Sequence, residues 1–262
     1  MTKFDEATQA IRLDETTYDV CLDPGYVVGT RLNGGYLMAA LLRAAVDASP
    51  YDHPVSTSVQ FLRAPVTGPA RVILEPLKSG RTAAMTRATL VQGDTAYLEA
   101  LITTATLDGA PAVWAGEPPA MPSPEDCLWL PDPKPESNMT LNARMELRFD
   151  PPTIGWLTGA PTGRPESRAY FRLSEPQDPD PYVLAMAVDV LPPVVFSAGH
   201  RGWAPTVELT WHLRALPAPG WLTLIGSGRL IRDGWFDEDV EVWDSAGNLV
   251  AQSRQMARLG RG

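Results

Sequence analysis

Hydrophobic and polar residues in this chain repeat with two periods, and the elements they predict come in the same order twice. From residue 206 to 214, Val207, Leu209, Trp211 and Leu213 fall on one side and Thr206, Glu208, Thr210, His212 and Arg214 on the other, the alternation of a half-buried strand. Similar runs predict strands over residues 222–232, 237–242 and 249–259, the last after the turn at 245–248. In contrast, GGYLMAALLRAAVDA at 34–48 is apolar nearly all round, with only Arg43 and Asp47 charged. It predicts a helix enclosed by protein, capped by Asn33. A shorter helix is predicted at about 181–190, ended by Pro192 and Pro193. Strands open the halves at 18–23 and 144–150, with 169–173 a further candidate.

The two halves share three sequence blocks at nearly constant offset. LRAP from Leu62 answers LRALP from Leu213, 151 residues on. Gly68 and Gly220 open the next pair, and Leu107 and Leu259 close the third, both 152 apart. An internal duplication accounts for that constancy. Each half then reads as a curled sheet around one apolar helix, an α+β arrangement with two buried helices. The expected division is 1–107 for the first repeat, 108–141 for a proline-rich linker and 142–262 for the second repeat. Trp114, Trp129 and Leu130 suggest that the linker lies against the repeats.

Composition narrows the function classes. Of 262 residues, 44% are hydrophobic and 20% charged, as in a packed globular protein. The net charge of −9 and the lack of a basic cluster argue against a nucleic-acid partner. Cys21 and Cys127 have neither metal nor redox spacing, and His53, His200 and His212 form no zinc-like pair, so no metal or other cofactor is expected. The polar N-terminus is unlike a signal peptide, and no apolar run is long enough to span a bilayer, so the expectation is a cytoplasmic protein with no membrane partner. In that setting the glycosylation sequon at Asn138 carries little meaning. There is no GxSxG elbow, and GSGRLI lacks the third glycine of a dinucleotide fingerprint.

Asp189 is the one charged residue between Tyr182 and Phe196, in YVLAMAVDVLPPVVF. A carboxylate in such a run faces a polar cavity or a partner, because burying it alone costs several kcal/mol. It is a candidate general base, or else a structural acid bridging to an arginine.

The layout resembles the double hotdog acyl-CoA thioesterases. The carrying segments are NGGYLMAALLRAA, SVQFLRAP and SGRTAAMTRATLVQGD in the first half, and AMAVDVLPP, PTVELTWHLRALP and NLVAQSRQM in the second. The resemblance implies two tandem hotdog repeats, each a curved antiparallel sheet wrapped around a central helix. It further implies an Asp, a Thr and a Gln that jointly hold the hydrolytic water, which point to Asp189, Thr206 and Gln255. The run after residue 205 is one residue shorter than the family pattern, so a bulge or slip would bring Pro205 or Glu208 into register; Glu208 and Thr210 are the substitutes for Thr206. At the repeat offset the first-half counterparts are Leu37 or Met38 for Asp189, Pro54 or Val55 for Thr206, and Thr103 or Thr104 for Gln255, so the second half alone carries the polar set.

The activity so implied is hydrolysis of a fatty acyl-CoA or related thioester. Gly34 and Gly35, in the first turn of the long helix, are candidate N–H donors to the oxyanion, with close helix–strand packing as the alternative. An apolar tunnel between helices and sheet would take the acyl chain. Arg63, Arg81, Arg87 and Arg214 are candidate anchors for the coenzyme phosphates. The resemblance also implies a homo-oligomer, a dimer or a tetramer. The alternatives are a non-catalytic acyl-CoA-binding protein and a hotdog hydratase or dehydratase, which pairs a His with an acid on or near the helix; here no His lies on either predicted helix.

Overall fold

The predicted order of helix and strands is realised twice in a computed structural model that describes residues 2–129 and 139–260. A short helix α1 (Lys3–Ala7) leads into β1 (Ala10–Arg12), β2 (Thr17–Leu22), the small ribbon of β3 (Val27–Val28) and β4 (Arg31–Leu32), and the long helix α2 (Gly34–Asp47). Then come β5 (His53–Phe61), β6 (Gly68–Ser79), β7 (Ala84–Gln92) and β8 (Thr95–Ala105). The second half holds β9 (Leu128–Trp129), β10 (Met145–Phe149), β11 (Glu166–Leu173), helix α3 (Pro181–Ala187), β12 (Thr206–Leu213), β13 (Leu222–Ser227), β14 (Ile231–Arg232), β15 (Trp235–Trp243) and β16 (Leu249–Arg258).

All strands but β3 and β4 join one antiparallel sheet, in the order β1-β2-β6-β7-β8-β5-β12-β16-β15-β13-β11-β10-β9, with β14 beside β15. The halves meet where β5 pairs with β12, Val59 opposite Leu209 and Thr57 opposite Trp211. The Ser58 and Thr210 hydroxyls hydrogen-bond across that seam at 2.8 Å. The architecture is a double hotdog, two helix–sheet units sharing one sheet.

Both helices are buried because their sequences leave them little choice. Leu37, Met38, Leu41 and Leu42 of α2 and Leu184 and Met186 of α3 are all buried, as is Trp211 on the sheet that covers them. Full burial of such side chains is worth about 1.5–3 kcal/mol each. Asn33 caps α2 as expected, its Oδ1 accepting from the Tyr36 N–H at 2.9 Å. Of the two charged residues on α2, Arg43 reaches Asp5 at 2.6 Å and lies over the Tyr182 ring, and Asp47 accepts from the Tyr18 hydroxyl.

Several boundaries differ from the expectation. α3 ends at Ala187, with Val188 as C-cap, rather than near residue 190. The strand expected over 222–232 breaks into β13 and β14, because the Asp237 carboxylate accepts the Arg229 and Leu230 N–H groups and pins the chain in a turn. The linker tryptophans do not pack as expected: Trp114 is 85% exposed, and Trp129, 54% exposed, is held by its pairing with Arg148. Leu130 and Asn138 lie outside the described residues.

The two helices touch at a glycine. A Cβ on Gly35 would lie 2.7 Å from the Ala185 carbonyl oxygen and 2.8 Å from the Met186 Cα. Gly35→Ala is therefore expected to force α2 and α3 apart, at a cost of about 1–3 kcal/mol, read as a lower Tm in thermal unfolding. An unchanged Tm would show that the helices do not approach this closely.

Candidate active site

Asp189 stands in the turn just beyond α3, its own N–H bonded to the Met186 carbonyl at 3.0 Å. Because α3 ends against the first turn of α2, the carboxylate falls at the N-terminal end of the longer helix. Its Oδ2 accepts the Gly35 N–H at 2.8 Å and an Asn33 side-chain N–H at 3.3 Å. The same Asn33 nitrogen donates to the Asp189 carbonyl at 2.8 Å, so one side chain caps α2 and ties it to α3. A Cβ on Gly34 would meet both Oδ2 and the Phe61 ring, which places that ring beside the carboxylate.

Two effects oppose each other at Asp189. Burial disfavours its charge, while the Gly35 and Gly34 N–H groups favour it. Burial prevails and pushes the pKa up to about 6. Asp189 is half-buried, and its Oδ1 accepts no hydrogen bond from a described side chain or backbone group, which leaves it able to take one from a ligand or water.

Thr206 and Gln255 meet directly, the Thr206 hydroxyl donating to Gln255 Oε1 at 2.7 Å. A bulge makes this possible. Thr206 pairs with Ala257 and Glu208 with Met256, so Val207 is an extra residue and the alternation changes phase there. Thr206 thereby joins the inner face with Leu209 and Gln255. The simple alternation that grouped it with Glu208, Thr210 and His212 is corrected: Glu208 and Thr210 lie on the opposite face from Leu209, where Thr210 bonds to Ser58 across the seam. Asp189 is brought over the same strand, because its neighbour Val188 accepts from Ser253 on β16 at 3.4 Å, two residues from Gln255.

The repeat explains why the first half lacks this set. β5 and β8 carry the same bulge, between Pro54 and Ser56. Following the register, the counterpart of Thr206 is Pro54, while that of Gln255 is Ile102 rather than Thr103 or Thr104.

Sequence reading missed Glu238. It lies directly opposite Gln255 on β15, only 2% exposed. Its Oε2 accepts the Val194 N–H at 3.0 Å, and the Gln255 side chain is its cross-strand neighbour. Burial pushes its pKa up to about 8; the Asp189 charge adds to the rise, while the Val194 and Gln255 donors oppose it. The signal was present: Phe236, Glu238, Val240 and Val242 alternate onto one face, and that face is buried. Asp189 ionises at the lower pH, and its charge then helps to hold the proton on Glu238.

Other expected residues are placed differently. The Gly35 N–H is spent on Asp189, and Gly34 also faces that carboxylate, so this turn holds the acid where an oxyanion was expected. Arg87 is taken up by Glu75 and Glu99. Arg63 is exposed, two residues beyond Phe61. Among the described residues no cluster of His, Cys, Asp and Glu is arranged to hold a metal ion. A surface cavity of about 530 Å³ lies elsewhere, between Glu6, Asp19, Cys21 and Arg71, and none of the site residues lines it.

Comparison with known proteins points to one family. A family model of the acyl-CoA thioesterase N-terminal domain matches residues 22–107, and one of the acyl-CoA thioesterase C-terminal domain matches 124–259. An uncharacterized protein of Mycobacterium tuberculosis (strain ATCC 25618 / H37Rv) is 31% identical over 91% of this chain and 89% of its own. A crystal structure from Thermobifida fusca YX, assigned as a thioesterase II, is 43% identical, covers 100% of both chains and superposes with a TM-score of 0.94. The acyl-CoA thioesterase II TesB2 of Mycobacterium marinum shares the fold at 18% identity, with a TM-score of 0.77 over 99% of this chain and 98% of its own.

A raised carboxylate pKa has a stability consequence. The ionised form of Asp189 is disfavoured in the folded protein, so its cost is absent below about pH 4 and complete above the folded pKa of about 6. Asp189→Asn keeps an acceptor for the Gly35 N–H without the charge. Its Tm is expected to exceed wild type at pH 7.5 and to converge with it near pH 4, as followed by calorimetry across pH.

Proposed function

The chain belongs to the acyl-CoA thioesterase family, and we propose that it hydrolyses a fatty acyl-CoA, or a related acyl thioester, with Asp189 as general base on a water positioned by Thr206 and Gln255. The observation that carries this reading is the state of Asp189. One carboxylate oxygen is held by Gly35 and Asn33, the other is free, and burial raises its basicity towards neutral pH. A base poised near the working pH combines a useful ionised fraction with useful proton affinity.

The steps balance without a cofactor. Asp189 Oδ1 takes a proton from water as the water oxygen bonds to the thioester carbon. The tetrahedral adduct then expels the thiolate, which takes up that proton and leaves a carboxylic acid. Thr206 and Gln255 do not titrate, so their part is to fix the water's position and turn its lone pair towards the carbonyl. With Thr206 donating to Gln255, the Thr206 oxygen still offers lone pairs to a proton of the water. Phe61, beside Asp189, gives an apolar wall for the acyl group, and the exposure of Arg63, two residues further on, supports it as an anchor for the coenzyme phosphates.

A hydratase or dehydratase would need a His beside the acid. His200 and His212 are exposed, and His53 Nδ1 accepts the Leu107 N–H at the far end of β5. These positions favour hydrolysis.

Thiol release from a panel of short to long acyl-CoAs tests the activity. At least one chain length is expected to be cleaved, with Asp189→Ala about a hundredfold slower or worse and Thr206→Val and Gln255→Leu each about tenfold slower in kcat. In wild type, kcat/KM is expected to climb through about pH 6 as Asp189 ionises. Turnover that survives Asp189→Ala would place the base elsewhere, and tight binding without cleavage would favour an acyl-CoA-binding protein.

A further inference from the structure

Glu238 is buried opposite Gln255, and the reaction as drawn does not use it. We propose that Glu238 is a positioning residue: its carboxylate holds the Gln255 amide with the nitrogen inward, which turns the Gln255 carbonyl to the Thr206 hydroxyl and leaves the Thr206 oxygen as an acceptor for the water. This inference rests on the reading of Thr206 and Gln255 as holders of that water.

The Val194 N–H can only donate, so Glu238 Oε2 must accept from it. The Thr206 hydroxyl donates to Gln255 Oε1, so of the two ends of the amide it is the nitrogen that is left for Glu238, directly opposite on β15, and it too can only donate. Both sides of the Glu238 carboxyl are therefore asked to accept, which is what an ionised carboxylate does. A neutral Glu238 carries one O–H, and Gln255 is the neighbour that can receive it. To receive it, the amide must turn over, presenting its carbonyl to Glu238 and its nitrogen to Thr206. The Thr206 oxygen then accepts from Gln255 and directs its proton at the water, competing for the lone pair needed for attack. Loss of the Glu238 proton to solvent reverses this.

The surroundings leave few other groups to titrate. Val194 faces Glu238 from the turn after α3, Gln255 from β16, and Asp189 from the end of α3. Neighbouring β13 pairs with β15 through Gly226 and Ser227, with apolar Leu191 and Val194 packed over Gly226. Asp239, the adjacent acid, is paired with Arg254 and Arg229. Ionised Glu238 also strengthens Asp189 as a base through their like charges, so both effects favour turnover as pH rises.

The test uses full-length wild type, Glu238→Gln and Glu238→Leu. A Gln at 238 must accept from Val194 with its carbonyl, so its NH2 faces Gln255 as the neutral acid's O–H does. In wild type, kcat is expected to show a second rise near pH 8. Glu238→Gln should lack that rise, lying about tenfold below wild type at pH 9, within about twofold at pH 6.5, and with KM unchanged, since Glu238 does not touch substrate. Glu238→Leu should also lose the second rise while its Tm at pH 9 increases, which separates a positioning role from a stabilising one. A readout independent of turnover is the NMR signal of the Gln255 side-chain amide, assigned by its loss in Gln255→Leu. It should shift through the Glu238 titration in wild type and stay fixed in Glu238→Gln. If that signal titrates but no acyl-CoA is cleaved, the thioesterase reading fails and the control of Gln255 stands. If the signal ignores pH, or Glu238→Gln keeps the wild-type profile, the positioning role is overturned.

Discussion

The contact between two helix ends at Gly35 is the constraint on which the site depends. Without a side chain there, the backbone of α2 lies against Ala185 and Met186 of α3, and its N–H reaches the carboxylate three residues beyond Met186. A larger residue would separate the helices and take away the donor that orients Asp189. The same closeness sets the acid's chemistry. Protein around it removes the water that would stabilise its charge, and the free N–H groups of a helix terminus return part of that stabilisation. The balance leaves a carboxylate that is ionised at neutral pH and still basic enough to take a proton.

The second constraint is the extra residue at Val207. In a regular strand Thr206 would face the same way as Glu208 and away from Gln255. The bulge turns it inward while leaving the seam between the halves intact from Glu208 onward. The first half has the same irregularity with Pro54 at the matching place, Ile102 where the second has Gln255, and Thr86 where it has Glu238. The duplicated scaffold thus keeps its backbone geometry in both copies and has polar groups at these positions chiefly in the second. The asymmetry makes physical sense, because each buried carboxylate destabilises the fold in its ionised form, whereas Ile102 and Pro54 add to the core of the first half at no such cost.

The sequence by itself determined the architecture. Period-two runs, one all-apolar helix and a constant repeat offset were enough for the duplicated α+β plan, because burial of apolar side chains decides which elements form and which faces they hide. Asp189 was legible for the same reason: a lone charge in an apolar run must have a partner, and Gly35 and Asn33 are that partner. Tertiary structure alone decided the rest. The phase of Thr206 depends on hydrogen-bond register with β16, which one strand's pattern does not contain. Glu238 alternates with Phe236, Val240 and Val242, but the acid-rich run DEDVEV reads locally as solvated surface, and the sheet lying over the turn at Val194 decides that the face is closed. The task of the Gly35 N–H depended on the chain bringing residue 189 to residue 35, a separation over which local propensity says nothing and packing says everything.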